Sequence, residues 1–243
     1  MISSPVALIT GASKGLGRAI ARSFSRHGFA VGINYHQNTN EARETASLIH
    51  QAGGSSLLLK ADVSRSADVQ AMVKRVTEEW GRIDVLINNA GIVRSRTIHN
   101  MKDDEWRDVM SVVLDGAFYC TRAVLPLMRA QKDGTIINIS SYLALRGAKG
   151  VANYAAAKAG LITLTKVTAL EEGPHNIRAN VVIPGFHVTD MNKDVWAKIE
   201  EDVMSDHLLG RLPDRDELGG FVVSLALLKS VTGQVFPFES RLM

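Results

Sequence analysis

A tyrosine and a lysine stand four residues apart at Tyr154 and Lys158, in a stretch rich in alanine. If this stretch is helical, the two side chains share one face, because about 3.6 residues complete a helical turn. A free phenol titrates near pH ~10, and a cation within about 4–6 Å favours its ionised form. We therefore expect Lys158 to lower the pKa of Tyr154 and make it an effective acid at neutral pH. An ordinary surface pair is the alternative for an isolated Tyr-x-x-x-Lys pattern.

A glycine-rich turn, Thr10–Gly17, follows the first apolar run of the chain, and a helical pattern begins directly after it. A strand, a glycine-rich turn and a helix in this order are typical of a dinucleotide-binding fold, in which a pyrophosphate lies at the helix N-terminus. Gly11 permits the tight turn, Gly15 lets the backbone approach the ligand, and Gly17 lets the helix pack on the strand. Taken alone, the turn is also compatible with a plain strand-to-helix connection.

Further motifs lie between these two and after them, in a fixed order. They are Asp62-Val63, Asn88-Asn89-Ala90-Gly91, Ser141 and Pro184-Gly185. In this order and at these separations, the chain resembles the short-chain dehydrogenase/reductase family over nearly its full length. Within that family, the segments around Tyr154 and Phe186 are most similar to the 3-oxoacyl-acyl-carrier-protein reductases. The resemblance implies an NADP-dependent oxidoreductase with Ser141, Tyr154 and Lys158 as its catalytic residues.

The same resemblance implies which residues bind the dinucleotide. They are Gly11, Ser13, Lys14, Gly15, Leu16, Gly17, Asn34, Tyr35, His36, Asp62, Val63, Asn89, Ala90, Gly91, Tyr154, Lys158, Pro184, Gly185, Val188 and Thr189. Between Arg18 and Asn40 the sequence has no acid to bond a ribose 2′-hydroxyl, as NAD enzymes commonly have. Lys14 instead offers an ammonium to a 2′-phosphate, so NADP(H) is the expected cofactor. A solvated loop charge is the alternative role for Lys14.

Reduction of a ketone leaves an alkoxide that must be protonated as it forms. By the resemblance, Tyr154 supplies this proton, Lys158 also bonds the nicotinamide ribose, and Ser141 donates a hydrogen bond to the carbonyl oxygen. Ser140 is the alternative for that last bond. Adjacent strand residues point to opposite faces, however, and the spacing of the family selects Ser141.

One position departs from the pattern of the family. In the helix predicted from about Asp104 to Met128, its members usually carry an Asn where this chain has Val113. That Asn helps to hold a water that relays protons towards the lysine, and a valine has no donor or acceptor for it. Either turnover is slowed, or main-chain groups hold the water. An NADP-binding protein with reduced or no catalysis is therefore an alternative function.

Short apolar runs alternate with helical patterns along the 243 residues. The runs are Pro5–Thr10, Ala30–Tyr35, Ser56–Ala61, Val85–Asn88, Thr135–Ser140, Asn180–Pro184 and Gln234–Phe238. This alternation predicts an α/β fold, a single-domain Rossmann-type doubly wound parallel sheet with helices on both faces. No linker or internal repeat divides the chain, so residues 1–243 are expected to form one dinucleotide-binding and catalytic domain.

Charge and composition disfavour nucleic acids and membranes as partners. The net charge of +3 comes from scattered side chains, which disfavours a nucleic-acid or membrane-binding face. No apolar run reaches the roughly 18 residues of a membrane span, and the first residues lack a charged leader. The single cysteine, Cys120, cannot form an internal disulfide. We expect a cytoplasmic protein and assign no metal site.

Residues from about 186 to 212 are predicted to form a lid over the substrate. Met191, Val195, Ile199 and Val203 recur every four residues there, as expected for a stripe over an acyl chain or for a plain amphipathic helix. His187, at the start of this region, is interpreted as a solvated loop histidine, and a position facing the substrate is the alternative.

The expected substrate is a 3-oxoacyl thioester carried by acyl-carrier protein or coenzyme A. Another small alcohol, sugar or polyketide carbonyl is the alternative. Arg129 and Lys132 are candidates for contact with an acidic carrier, although Leu170 lies where a basic partner is expected. A homo-oligomer, either a dimer or a tetramer, is also expected. The C-terminal residues 235–243 lack the glycine pair that the family usually has, so the sequence does not decide between the two.

Overall fold

The structure is a computed structural model that describes residues 2–189 and 193–242. Within these ranges, seven strands form one sheet in which every neighbouring pair is parallel. In chain order, strands β1 to β7 comprise Val6–Ile9, Ala30–Tyr35, Ser56–Lys60, Val85–Asn88, Gly134–Ile139, Ile177–Ile183 and Val235–Pro237. Their order across the sheet is β3-β2-β1-β4-β5-β6-β7, so the winding direction reverses between β1 and β4. The predicted doubly wound parallel sheet is confirmed.

Helices cover both faces of this sheet. In the described ranges, helices α1 to α9 comprise Gly15–Arg26, Thr39–Gln51, Ser66–Trp80, Asp103–Met110, Gly116–Gln131, Leu143–Arg146, Ala152–Glu172, Lys193–Ser205 and Arg215–Leu227. Alternate residues of β1 belong to different cores: Ile9 packs in the cluster that includes α1 and α9, and Leu8 in the one that includes α3 and α5. Burial on both faces explains why the strands are almost continuously apolar.

The long helix predicted from about Asp104 to Met128 is interrupted. A π-helical turn, Ser111–Asp115, joins α4 to α5, and π-turns occur frequently at functional sites. Counted as one run, residues 103–131 are long and apolar enough to cross a membrane by length and composition, which the sequence analysis did not anticipate. Core helices pass the same test, and Cys120 and Met128 of this run are fully buried in the cluster with α3.

Buried amide and hydroxyl side chains join the strands to the helices beneath the carboxyl ends of β4 and β5. Asn88 Nδ2 donates to Asn138 Oδ1 at 2.8 Å and to Thr121 Oγ1 at 3.3 Å. Asn138 Nδ2 donates in turn to Thr165 Oγ1 at 2.7 Å. Because a satisfied buried network fixes a unique arrangement, these bonds hold α5 and α7 in register with the strand ends that carry the site.

Candidate active site

A cleft of about 920 Å³ lies at the carboxyl ends of the strands, where the winding direction reverses. Parallel α/β sheets bind their ligands at this edge. Each residue predicted to bind the dinucleotide lines the cleft except Gly185. Tyr154 and Lys158 also line it, whereas Ser141 does not and its neighbour Ser140 does. The residues selected from the sequence are thus brought to one place.

The glycine-rich turn is closely packed against the segment after β4. A Cβ on Gly17 would lie 2.3 Å from the carbonyl oxygen of Gly11, and one on Gly11 would lie 2.9 Å from Ala90 Cα. Gly11 and Gly15 also have φ values of 62° and 57°, a region that favours glycine. The first turn of α1 contains no acidic residue, so its positive end suits an anion. These features fit a dinucleotide pyrophosphate.

Two side chains that the sequence analysis missed hold this turn in shape. Arg18 donates to the carbonyl oxygen of Ser13 from Nε at 3.2 Å and from Nη2 at 2.9 Å. Thr45 Oγ1 donates to the same oxygen at 2.8 Å. Arg18 directly follows the last glycine of the turn, but Thr45 lies in α2, and only the tertiary fold brings it there.

A second set of bonds ties the turn to β4. Thr10 Oγ1 accepts hydrogen bonds from the backbone N–H groups of Asn89 at 2.9 Å and Ala90 at 3.0 Å. Asn89 Nδ2 donates to the carbonyl oxygens of Thr10 at 2.9 Å and Gly11 at 3.1 Å. These four hydrogen bonds are hereafter the Thr10–Asn89 clasp. They join residues about 80 positions apart in the chain, and the floor of the cleft depends on them.

Basic and acidic side chains meet at the end of the cleft formed by β2 and β3. His36 Nε2 lies 3.8 Å from Asp62 Oδ2, and both residues line the cleft with Lys14. Burial acts to raise the pKa of Asp62, but hydrogen bonds from Ser64 Oγ and N outweigh it and leave this pKa below its ordinary value. Asn34, predicted as a cofactor ligand, also braces the turn, since its Oδ1 accepts from Gly11 N at 3.2 Å.

Helix α7 brings Tyr154 and Lys158 together, as the four-residue spacing predicts. Lys158 Nζ lies 5.6 Å from the centroid of the Tyr154 ring and donates to the carbonyl oxygen of Ile139 at 2.6 Å. Lys158 is 3 % exposed, so its ammonium is held under the phenol with little contact to water.

The pKa of Tyr154 differs from the expectation drawn from the sequence. Burial raises it to about 12, although a hydrogen bond with Ser141 acts in the opposite direction. Burial also lowers the pKa of Lys158 to about 8. The expected depression of the Tyr154 pKa was therefore wrong for the protein alone. The ammonium lies beneath the ring and bonds Ile139, so it offsets too little of the cost of ionising a desolvated phenol.

The two serines after β5 have different partners. Ser140 Oγ donates to the carbonyl oxygen of Lys158 at 2.8 Å and thereby joins β5 to α7. Ser141 forms the hydrogen bond with Tyr154, and its Oγ accepts from Leu143 N at 3.2 Å. Although Ser140 lines the cleft, its hydroxyl is committed to the main chain. This geometry supports the assignment of Ser141 to the substrate oxygen.

Val113 lies in the π-helical turn and is 1 % exposed. It packs in an apolar cluster with Ala157 and Leu161 of α7. The point where a Cβ on Gly91 would lie is 3.6 Å from Val113 Cγ2 and 3.9 Å from Lys158 Nζ. Methyl groups thus stand close to Gly91 and the lysine, where the family usually has an amide.

The loop after Pro184 shows one clear difference from the sequence interpretation. His187 is 6 % exposed and its Nε2 lies 2.8 Å from the carbonyl oxygen of Pro184, so the expectation of a solvated histidine was wrong. Burial lowers the pKa of this imidazole. Arg215, which the sequence analysis missed, lines the cleft and donates to the carbonyl oxygen of Val188. Its place at the start of α9 gives no sequence signal for this contact.

Part of the predicted lid lies outside the described residues. Met191 falls outside them, as does the side chain of Val195, so the four-residue stripe is not described as a whole. In the described part, the rings of Phe186 and Trp196 stack with centroids 5.2 Å apart and planes inclined by 27°.

The cleft and its glycine-rich turn fit a dinucleotide, and two of the three predicted catalytic residues, Tyr154 and Lys158, line that cleft. A family model for short chain dehydrogenases matches residues 5–200. The chain belongs to this family, and the resemblance inferred from its motifs is confirmed.

Individual relatives cover nearly the whole chain. The 3-oxoacyl-[acyl-carrier-protein] reductase FabG of Staphylococcus aureus (strain Mu50) is 39% identical over 230 residues, which are 94% of each chain. A 3-oxoacyl-[acyl-carrier-protein] reductase of Synechocystis sp. is 38% identical over 245 residues, covering 100% of this chain and 98% of that protein. FabG of Staphylococcus epidermidis (strain RP62A) is 37% identical over 230 residues, again 94% of each chain.

The buried ammonium leads to a prediction about stability. The pKa of Lys158 is about 8, whereas the ordinary value is 10.5. Below pH 8, this difference favours the unfolded state by about 3 kcal/mol. We expect Lys158→Met to raise the free energy of unfolding at pH 7 by about 1–3 kcal/mol. Between pH 8 and 10.5 the unfolded parent chain binds more protons, so the parent gains stability there and the difference narrows. Urea unfolding at pH 7 and at about pH 10 measures both effects, and a destabilised variant at pH 7 would contradict the prediction.

A second prediction concerns the departure at Val113. Val113→Asn places an amide in an apolar cluster, so we expect the free energy of unfolding to fall by about 1–3 kcal/mol. Turnover per folded enzyme should be unchanged or higher, because the amide restores the usual group for a relay water beside Lys158. Val109→Asn, a fully buried position of the same cluster on α4, is the control for polar burial. A severe loss of turnover in Val113→Asn alone would show that the valine has its own function.

Proposed function

We propose that the protein is an NADPH-dependent ketoreductase that reduces a 3-oxoacyl thioester to the 3-hydroxyacyl product. The observation that carries this proposal is the Ser141–Tyr154 hydrogen bond above the buried Lys158 ammonium, in a dinucleotide-sized cleft. The names of the relatives, 3-oxoacyl-[acyl-carrier-protein] reductases, support the substrate class. The whole chain is proposed to act as one domain, with residues from about 186 to 212 as its lid.

Each catalytic residue has a role that its surroundings support. When bound, the reduced nicotinamide supplies a hydride to the carbonyl carbon. Ser141 donates a hydrogen bond to the carbonyl oxygen and Tyr154 transfers its phenolic proton to that oxygen as charge develops there. A Tyr154 pKa of about 12 keeps the phenol protonated over the physiological range, as a proton donor requires. Lys158, whose ammonium lies under the Tyr154 ring, would stabilise the phenolate and would hold the nicotinamide ribose.

Basic side chains support NADP(H) over NAD(H). Lys14 and His36 both line the cleft, His36 beside Asp62, and the sequence from Arg18 to Asn40 contributes no acid to the cleft lining. A 2′-phosphate would carry a negative charge to pair with the Lys14 ammonium, and a ribose hydroxyl lacks that charge.

Three residues near the ends of α5 and α7 bear on the carrier of the acyl group. Arg129, a candidate for contact with an acidic carrier, bonds both oxygens of buried Glu172 at 2.8 and 2.6 Å. Its charge is therefore already compensated. Lys132 lies at the end of α5, and Leu170 is 79 % exposed on α7. Acyl-coenzyme A and acyl-carrier protein should accordingly be compared directly as substrates.

The proposal is tested by the loss of NADPH absorbance with acetoacetyl thioesters. We expect Tyr154→Phe to lower kcat by about 10²–10⁴-fold, since the proton donor is gone and general acid catalysis contributes about this factor. NADPH affinity should stay within about twofold, because the ring and Lys158 are kept. Tyr119→Phe, on a face of α5 outside the cleft, is the matched control. Undiminished turnover in Tyr154→Phe would refute the assignment, and tight NADPH binding without turnover by the parent would favour a non-catalytic binding protein.

Cofactor choice is tested separately by fluorescence titration with NADPH and NADH. We expect Lys14→Met to weaken NADPH binding by about tenfold or more, since a hydrogen bond to a charged group contributes about 1.5–3 kcal/mol. NADH binding should change little, because it lacks the 2′-phosphate. Lys74→Met, at an exposed position of α3, controls for loss of net charge. Equal weakening of both nucleotides would contradict the role given to Lys14.

A further inference from the structure

The C-terminal segment Phe238–Leu242, hereafter the tail, returns to the loop that carries Ser141. At its start, Phe238 N donates to the carbonyl oxygen of Ile183 at 2.8 Å. Further on, the guanidinium carbon of Arg241 lies 3.9 Å from the centroid of the Tyr142 ring. The Arg241 side chain and Tyr142 are each 8 % exposed. The tail thus contacts the immediate neighbour of Ser141.

Tyr142 is also held at its hydroxyl. Arg146 Nη1 donates to Tyr142 Oη at 2.6 Å, and this bond raises the pKa of Arg146. Tyr142 Oη donates to the carbonyl oxygen of Leu242 at 3.5 Å. Arg241, Tyr142 and Arg146, hereafter the tyrosine clamp, therefore join the tail to the last residue of α6.

The orientation of Arg241 is fixed by a buried partner. Glu239 forms an ion pair with Arg241, and its side chain is 0 % exposed. Burying two charges carries a desolvation cost that an apolar side chain at position 241 would avoid. Unlike an apolar side chain, the ion pair holds the guanidinium over the Tyr142 ring, where a cation interacts favourably with the aromatic face.

We propose that Arg241 is a positioning residue for Ser141 and acts through Tyr142. This inference rests on the proposed function, in which Ser141 bonds the substrate oxygen. Helix α6 has only four residues and begins two residues after Ser141, so its own hydrogen bonds hold the loop weakly. The tyrosine clamp supplies the missing constraint. Because small displacements of a bonding group cost large factors in rate, loss of the clamp should lower kcat.

Three variants separate the parts of the clamp. Glu239→Gln combined with Arg241→Met, hereafter the double variant, removes the cation without leaving a buried carboxylate alone. Arg241→Lys keeps a cation over the ring and is the conservative variant. Tyr142→Phe keeps the ring and removes the hydroxyl bonds to Arg146 and Leu242. Arg75→Met, which breaks an exposed ion pair on α3, is the matched control outside the site.

Hydrogen exchange of residues 141–147 tests the constraint without any substrate or cofactor. The backbone N–H groups of residues 143–147 bond to Ser141, Tyr142 and Leu143. We expect exchange of this peptide to be at least about tenfold faster in the double variant, which corresponds to about 1.4 kcal/mol of lost protection. It should be intermediate in Tyr142→Phe and near the parent rate in Arg241→Lys and Arg75→Met. Unchanged exchange in the double variant would overturn the proposal.

Kinetics then test whether the effect passes through Ser141. We expect the double variant to lower kcat about tenfold while the KM for NADPH changes less than about twofold. In a Ser141→Ala background the same two substitutions should lower kcat no further, because no hydroxyl remains to be positioned. Equal losses in both backgrounds would overturn the role in positioning. If the parent turns over no acyl thioester, the proposed function fails, while the exchange result still decides whether the clamp holds the loop.

Discussion

The arrangement of the site depends on one desolvated ammonium. Lys158 is almost fully buried, and its Nζ donates to the carbonyl oxygen of Ile139 at the end of β5. This bond fixes α7 against the sheet edge and places a cation under the Tyr154 ring. Ser140 reinforces the same junction by bonding the carbonyl oxygen of Lys158. Strand and helix are therefore joined twice at the lysine, and Tyr154, one turn earlier on α7, takes its position from that junction.

Much of the fold and many of the site positions followed from sequence patterns. The alternation of apolar runs with helical patterns predicted the parallel sheet, since each strand is covered on both faces. The Gly11–Gly17 spacing and the Tyr154–Lys158 spacing are local, so the geometry of one turn and one helix brings their members to the cleft. The order of the motifs predicted the family, and the match of the family model to residues 5–200 confirms it.

What the sequence did not predict depends on contacts between distant segments. Thr45 and Arg215 reach the cleft margin only because α2 and α9 pack there. The burial of His187 follows from its bond to Pro184 and from the surrounding loop. The pKa of Tyr154 was misjudged because helical spacing gives proximity to a charge but gives no measure of desolvation, which here has the larger effect. The π-helical turn around Val113 likewise has no residue signature.

The Thr10–Asn89 clasp has a consequence for the order of events during synthesis. A nascent chain that ends before β4 holds three strands and the complete glycine-rich turn but lacks the groups that close its floor. At about 5–20 residues per second, ribosomes add the intervening 80 or so residues in roughly 4–16 s. Throughout that interval the surface of β1 that pairs with β4 lacks its partner strand, and the surface of α1 that packs on α9 waits longer still, because α9 begins only at Arg215.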